Sequence, residues 1–351
     1  MKIKQALLSA FAFVILFTSC NNDDSPKLPL GDYENGILVS NEGPFGNGTG
    51  TISFISKDSS VVHNTIYKLE NAEDLGNIVQ SIGFDESRAY IVANNSQKIS
   101  IVNRYTFKKL GAVTEGLANP RYFVVANGKG YVTNWGDTAD STDDYVAIIN
   151  LETYQLDGKI SVVLGPERIV VKGNKVYVAH KGAYGQNNVI SVINTDTDTV
   201  EKTITVGDVP NSMLFDASGS LWVLAGGKPS YTKDETKGVL TKINTSSNTV
   251  DATFEFATTE HPKHLSLGNN ELYYALGSGV YKMALSGDAL PTTAHLSDVS
   301  FYTMTVSEGK LYGTDAKDYA SKGDLNIYDL TTKKKTKTLS VGIIPGGIYF
   351  N

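Results

Sequence analysis

The chain has 351 residues, is 41% hydrophobic and 19% charged, and carries a formal net charge of -6. That is enough apolar material for a large core, and an acidic balance that disfavours binding to the phosphates of nucleic acid. Nineteen tyrosines stand against two tryptophans, and Cys20 has no second cysteine with which to form a disulfide. Tyrosine suits half-buried strands and surfaces that hold large amphipathic ligands.

At the N-terminus, Lys2 and Lys4 precede an apolar run from Ala6 to Phe17. The run has signal-peptide length and is short for a membrane span. The stretch Leu16-Phe17-Thr18-Ser19-Cys20 resembles a bacterial lipobox, with small residues before the cysteine; Phe17 departs from its strictest form. The expectation is a signal peptide over 1–19, an acylated Cys20, a polar tether over 20–35 and one folded domain over 36–351. Asp23-Asp24 resembles the surface-export signal of lipoproteins in the Bacteroides group, which implies a protein anchored outside the outer membrane.

From Gly36 onward the chain reads as short strands rich in Val, Ile, Thr and Tyr, bounded by Gly, Asn, Asp or Pro. The first set, Gly36–Glu42, Thr51–Ser56 and Val61–Tyr67, has three strands. Leu69 to Gly76 is the best helical stretch, an insertion of loop size. Sets of four then follow over 79–114, 120–163, 166–206, 210 to about 255, an eroded unit from 262, and 301–341. The clearest unit is Pro166 to Val206: PERIVVKG, a Gly-Asn turn, KVYVAH, a Gly-rich excursion, VISVIN, and TVEKTITV. Aromatics on second strands (Tyr90, Tyr131, Tyr177, Trp222, Tyr273, Tyr312) recur every 39 to 51 residues, the period of a propeller blade. The last run, Pro345 to Asn351, is a lone first strand. It completes the three-stranded first set, and the prediction is an all-β, seven-bladed β-propeller with four antiparallel strands per blade and a ring closed by the C-terminal strand.

In such a ring, the loops between second and third strands and the segments leading into first strands open on one face. The former are long and Gly-rich and carry Phe45, Trp135, Tyr184, Tyr231 and Tyr319, whereas first-to-second turns are minimal. Irregular loops on a rigid scaffold are where binding concentrates. The lead-in segments add Arg121, Arg168, Asn211, Lys263, His264 and Tyr302. Two arginines suit a phosphate or carboxylate; pairing with Glu167 is the competing reading. Signals for catalysis are weaker. The five histidines lack metal-ligand spacing, and Asp137, Asp140, Asp143 and Asp144 lack an EF-hand pattern. There is no nucleophile elbow and no phosphate loop opening a helix.

INxxT at Ile193–Thr197 and Ile243–Ser247, VGxxP at Val206–Pro210 and Val341–Pro345, and YVTN at Tyr131–Asn134 resemble the YncE-like, YVTN-type propellers. Together with the lipobox, Asp23-Asp24 and the aromatic loops, the whole chain most resembles the BtuG family of Bacteroides surface lipoproteins. That resemblance implies capture of cobalamin (vitamin B12, a corrinoid) as a bound ligand rather than a catalytic cofactor, and delivery to a TonB-dependent, BtuB-like outer-membrane transporter. A binding protein rather than an enzyme is expected. The expected contacts are Phe45, Asn94, Asn95, Arg121, Trp135, Arg168, His180, Tyr184, Asn211, Tyr231, His264 and Tyr302. Alternatives are a surface propeller binding glycan, siderophore or haem, an adhesion protein, or a lyase or hydrolase acting on polysaccharide.

Overall fold

The second strands are buried along almost their whole length, as in Lys175–His180 and Leu221–Ala225. A strand apolar on both faces needs a packing partner on each side. The computed structural model, which describes residues 30–46 and 48–351, supplies those partners as seven four-stranded antiparallel sheets. Six sheets are consecutive in sequence. The seventh joins Gly36–Asn41, Thr51–Ser56 and Val62–His63 to the C-terminal strand Pro345–Phe350. Leu38 pairs with Tyr349 and Val39 with Ile348 across that junction. The protein is a seven-bladed β-propeller.

The hydrophobic core lies between blades. Tyr90 and Val92 of the second blade pack with Phe123, Val132 and Tyr145 of the third, and Ile37, Val39 and Ile55 of the first pack with Tyr312, Leu325 and Val341 of the seventh. The periodic aromatics sit in these layers, at most 7% exposed from Tyr90 to Tyr312. The polar ends of five of the six are satisfied: Tyr90 donates to Asp85 (2.7 Å), Tyr131 to Asp198 (2.6 Å), Tyr177 to Asn248 (2.9 Å), Trp222 to Asp216 (2.9 Å) and Tyr273 to Glu271 (3.0 Å). The INxxT asparagines turn the hairpins as their chemistry suggests, Asn194 accepting from the backbone of Asp196 and Asn244 from Ser246, each at 2.9 Å.

Three expectations need correction. Val61–Tyr67 is strand only at Val62–His63, and the helix is Ile66–Asn71, not Leu69–Gly76. Burying Ile66 and Tyr67 against the first two blades is worth more than extending an outermost strand that has no neighbour on one side. In the sixth blade the outer strand is Leu296–Ser297, beyond the ALPTTA segment expected to form it. The tether expected over 20–35 ends earlier: Tyr33 is 4% exposed, packs edge-on against Phe54 and Phe107, and donates to Glu70. One large aromatic ring is enough to dock this otherwise polar segment. Cys20, Asp23, Asp24 and the signal-peptide stretch lie outside the described residues.

Ring closure rests on a strand at the extreme C-terminus. Deleting Pro345–Asn351 should cost at least ~5 kcal/mol, since five paired ladder positions are lost at about 1 kcal/mol each along with the packing of Ile348 and Tyr349. Calorimetry should show a markedly lower melting temperature, with self-association through the bared edge visible by gel filtration. An unchanged melting temperature would show that closure is dispensable.

Candidate functional site

The rim of one face is built from a repeated backbone device. The residue before each of five first strands is left-handed: Ile78, Asn119, Gly165, Val209 and Ile344, with φ between 50° and 73°. Its carbonyl accepts the N–H of the residue that follows the second strand of the same blade: Asn94 (2.8 Å), Trp135 (3.2 Å), Lys181 (2.9 Å), Gly226 (2.9 Å) and Glu42 (2.8 Å). This bond ties the lead-in segment to the long loop. Left-handed backbone is costly for β-branched Ile and Val, so packing at the rim enforces it. At Gly165 no side chain fits, because a Cβ would lie 2.2 Å from the backbone nitrogens of Gly182 and Ala183.

Inside the rim is a cavity of about 820 Å³ over the channel mouth. Nine of the twelve expected contacts line it: Phe45, Asn94, Arg121, Trp135, Arg168, Tyr184, Asn211, His264 and Tyr302. Phe45 and Tyr184 stand 87% and 79% exposed. Tyr302 donates to Glu42 at 2.8 Å and meets Tyr319 edge-on at 5.9 Å. Burial raises the Glu42 carboxyl above its ordinary value, opposed by the Tyr302 hydroxyl, and burial beside Glu42 raises the Tyr302 phenol.

The two arginines are in different states. Arg121 is clamped bidentately by Glu167, Nε to Oε2 at 2.9 Å and Nη2 to Oε1 at 3.0 Å, with the two side chains 13% and 7% exposed. Burial alone would raise the Glu167 carboxyl, but the Arg121 charge and hydrogen bonds hold it below its ordinary value. Trp135 lies on the Arg121 guanidinium at 3.9 Å and meets Tyr184 edge-on at 5.9 Å. Arg121 is therefore the base on which Trp135 rests, and its charge is spent inside the protein. Arg168 stacks on Tyr122 at 4.3 Å and forms no ion pair among the described residues.

The remaining expected contacts are corrected or qualified by their positions. His180 is fully buried and shares a 2.9 Å hydrogen bond with Ser191; at the last position of a strand buried on both faces, it points into the sheet rather than the cavity. Asn95 is off the cavity wall, donating to Asn77 at 2.7 Å. Tyr231 is 79% exposed but walls an adjoining groove. The amides of Asn94 and Asn211 donate to the carbonyls of Pro120 (3.0 Å) and Pro262 (2.9 Å) in the next blade, so both serve first as clamps between blades. Asp143 and Asp140 tie their loop to itself, accepting from the N–H groups of Asp137 and Thr142, Asp144 accepts from the N–H of Gly165 in the next lead-in segment, and the described residues contain no cluster of three or more His, Cys, Asp or Glu that could hold a metal.

Glu42, Tyr122 and Lys181 were passed over as contacts, and Tyr319 and Lys263 were noted without being chosen; all five line the cavity. A signal was present for some: Tyr122 adjoins Arg121, and Lys181 follows a second strand as Asn94 and Trp135 do.

Fold and site together define a ring scaffold with one minimal face and one face that carries a wide cavity. The chain belongs to the family described as "Domain of unknown function (DUF5074)", which matches residues 35–341. No curated protein matches the sequence. Among solved structures, it is similar to a quinonprotein alcohol dehydrogenase-like protein from Bacteroides thetaiotaomicron (15% identity, TM-score 0.66, covering 91% of this chain and 78% of that one). It is also similar to the dihydro-heme d1 dehydrogenase NirN in complex with DHE (12%, 0.57, 93% and 77%) and to BamB from Moraxella catarrhalis (14%, 0.55, 87% and 82%). At these identities the likeness is one of fold alone.

Two consequences are measurable. Glu167→Gln leaves the Arg121 charge buried without its counter-ion and should cost ~3–5 kcal/mol in urea denaturation; a loss under 1 kcal/mol would show that the pair is not structural. For His180, burial lowers the imidazole to about 4. The unfolded chain takes up that proton below about 6.5 and the folded protein only near 4, so this contribution is complete above pH 6.5 and lost as pH falls. Asp144, raised to about 6 by burial, acts with the opposite sign, so the comparison needs a variant. Between pH 7 and pH 4 the wild type should lose roughly 3 kcal/mol relative to His180→Gln. Parallel pH profiles would show that His180 titrates normally.

Proposed function

We propose that this protein captures a broad, rigid, polar-armed ligand on the cavity face, that the ligand is a corrinoid such as cobalamin, and that it passes it to a TonB-dependent outer-membrane transporter while held by a lipid on Cys20. The observation that carries the reading is the cavity itself: about 820 Å³, open over a closed ring, walled by exposed Phe45 and Tyr184 and by Trp135 and Tyr302. A disc-shaped ligand with apolar edges needs a wide mouth with aromatic walls. A rim locked by backbone bonds loses little ordering entropy on binding, which favours tight capture. The whole-chain resemblance to the BtuG lipoproteins supports the choice of cargo, and the lipobox supports the anchor. The wall presents aromatic rings and fixed ion pairs rather than paired free acids, which favours binding over turnover.

The test is gel filtration of the purified protein with 10 µM cyanocobalamin, read by co-elution of its visible absorbance. Tyr184→Ala and Phe45→Ala should each weaken retention about tenfold, the loss typical of an aromatic anchor, with unchanged melting temperatures because both side chains are exposed. If no ligand is retained at this concentration, the corrinoid reading falls, and glycan arrays become the next test.

A further inference from the structure

Charge is unevenly spent inside the cavity. Its carboxylates are engaged: Glu167 by Arg121, Glu42 by the Tyr302 hydroxyl, and Asp315 by the backbone N–H of Lys317. Two of its cations are engaged as well, Arg121 by Glu167 and Lys317 by Asp324 at 2.9 Å. Three are not. Among the described residues, Arg168, Lys181 and Lys263 have no carboxylate within ion-pair distance. They form one neighbourhood: the fields of Lys181 and Arg168 both reach Glu167, and those of Lys263 and Arg168 both reach His264, where burial and the two cations hold the imidazole neutral. None of the three has a salt-bridge partner among the described residues, so an anion entering the cavity meets positive charge on several sides.

Their position adds shape. Lys181 and Lys263 line both the central cavity and a second groove of about 420 Å³. Together with Tyr184 and Asn211 they form the ridge between the two. Beyond the ridge the groove is walled by Tyr231, Pro229 and Pro262, with His261 pinned by Glu235 (3.0 Å) and by the Gly226 carbonyl (2.7 Å). Tyr184 and Tyr231 are each 79% exposed, so two aromatic side chains flank an open slot next to unpaired positive charge.

We infer that Lys181 and Lys263 on the ridge, with Arg168 on its cavity side, form an anion-binding site, and that the ligand carries a phosphate, carboxylate or sulfonate there and a ring system in the groove between Tyr184 and Tyr231. The inference rests on the cavity face being the capture site, but not on a corrinoid being the cargo. Of the two lead-in arginines it keeps Arg168 and drops Arg121, which Glu167 already neutralises, and it adds Lys181 and Lys263.

Two arms separate the ideas. In the first, pyrene-1,3,6,8-tetrasulfonate, a planar polyanion, is titrated into the protein by fluorescence anisotropy. Binding should be saturable and weaken as salt rises. Arg168→Gln, Lys181→Gln and Lys263→Gln should each weaken it about tenfold, the loss of one charge-assisted hydrogen bond. Tyr231→Ala should weaken it too, whereas Lys334→Gln, an equal charge change on an exposed outer strand, should leave it unchanged. Absent or salt-insensitive binding, or an equal effect of Lys334→Gln, overturns the ridge. In the second arm, cyanocobalamin is compared with cobinamide, which has the same macrocycle without the phosphate-bearing nucleotide arm. Tighter binding of cyanocobalamin, lost in the three variants, supports the ridge. Equal binding of both that the substitutions leave unchanged overturns it and leaves the capture reading standing. Pyrene binding with no corrinoid binding overturns the cargo and leaves the ridge standing.

Discussion

Ring closure is the constraint on which everything else depends. Each blade is apolar on both faces, so none is stable alone, and the core consists of the layers between blades. A ring of such layers has no free face only if the last blade meets the first, and here the junction is made by a blade assembled from both ends of the domain. The price of an open ring would be two bare faces and an unpaired strand edge.

Closure also shapes the binding face. Near the channel, side chains stitch each blade to the next: Ser81 donates to the Arg121 carbonyl (2.7 Å), Thr133 to that of Glu167 (2.9 Å) and Thr314 to that of Pro345 (2.7 Å). These bonds hold the lead-in segments from one side, and the left-handed rim residues hold them from the other. Arg168 therefore projects from backbone fixed twice, by the Gly165 rim bond and the Thr133 stitch, which preorganises it. Variation is left to the loops beyond the rim, where Phe45, Tyr184 and Tyr231 stand exposed.

The electrostatics follow the same division. Arg121 and Glu167 belong to neighbouring blades, and their buried bidentate pair acts as a staple whose charges cancel. Such a pair adds little net stability against an apolar substitute, but it fixes register and supports Trp135. The cations left over line the cavity, Lys181 and Lys263 on the ridge it shares with the adjoining groove, where a ligand rather than the protein can answer them.

Much of the fold was legible because its signals are local. Strand boundaries in the Pro166 unit match to within a residue, since Gly, Asn and Pro mark each end, and the aromatic period reported the blades because each ring fills the same interblade slot. The shared first blade was also readable, because three strands at one end and a lone strand at the other complement each other. Where local preference met a packing alternative, reading failed, as with the helix at Ile66–Asn71 and the docking of Tyr33. The cavity was legible in part. The rule that lead-in segments and long loops share a face comes from topology alone and placed nine side chains correctly around the mouth. It could not say which side chains were already engaged. His180 looks like any loop-flanking histidine until burial on both faces removes it from solvent, and Arg121 and Arg168, each just after a Pro-led start, differ only because Glu167 reaches one of them. The sequence by itself determined the blade count, the strand order and the face that carries the cavity, because each depends on periodicity along the chain. Only the tertiary structure decided which charges cancel and which remain, because a pair such as Arg121 and Glu167, 46 residues apart in sequence, exists only once two blades are packed together.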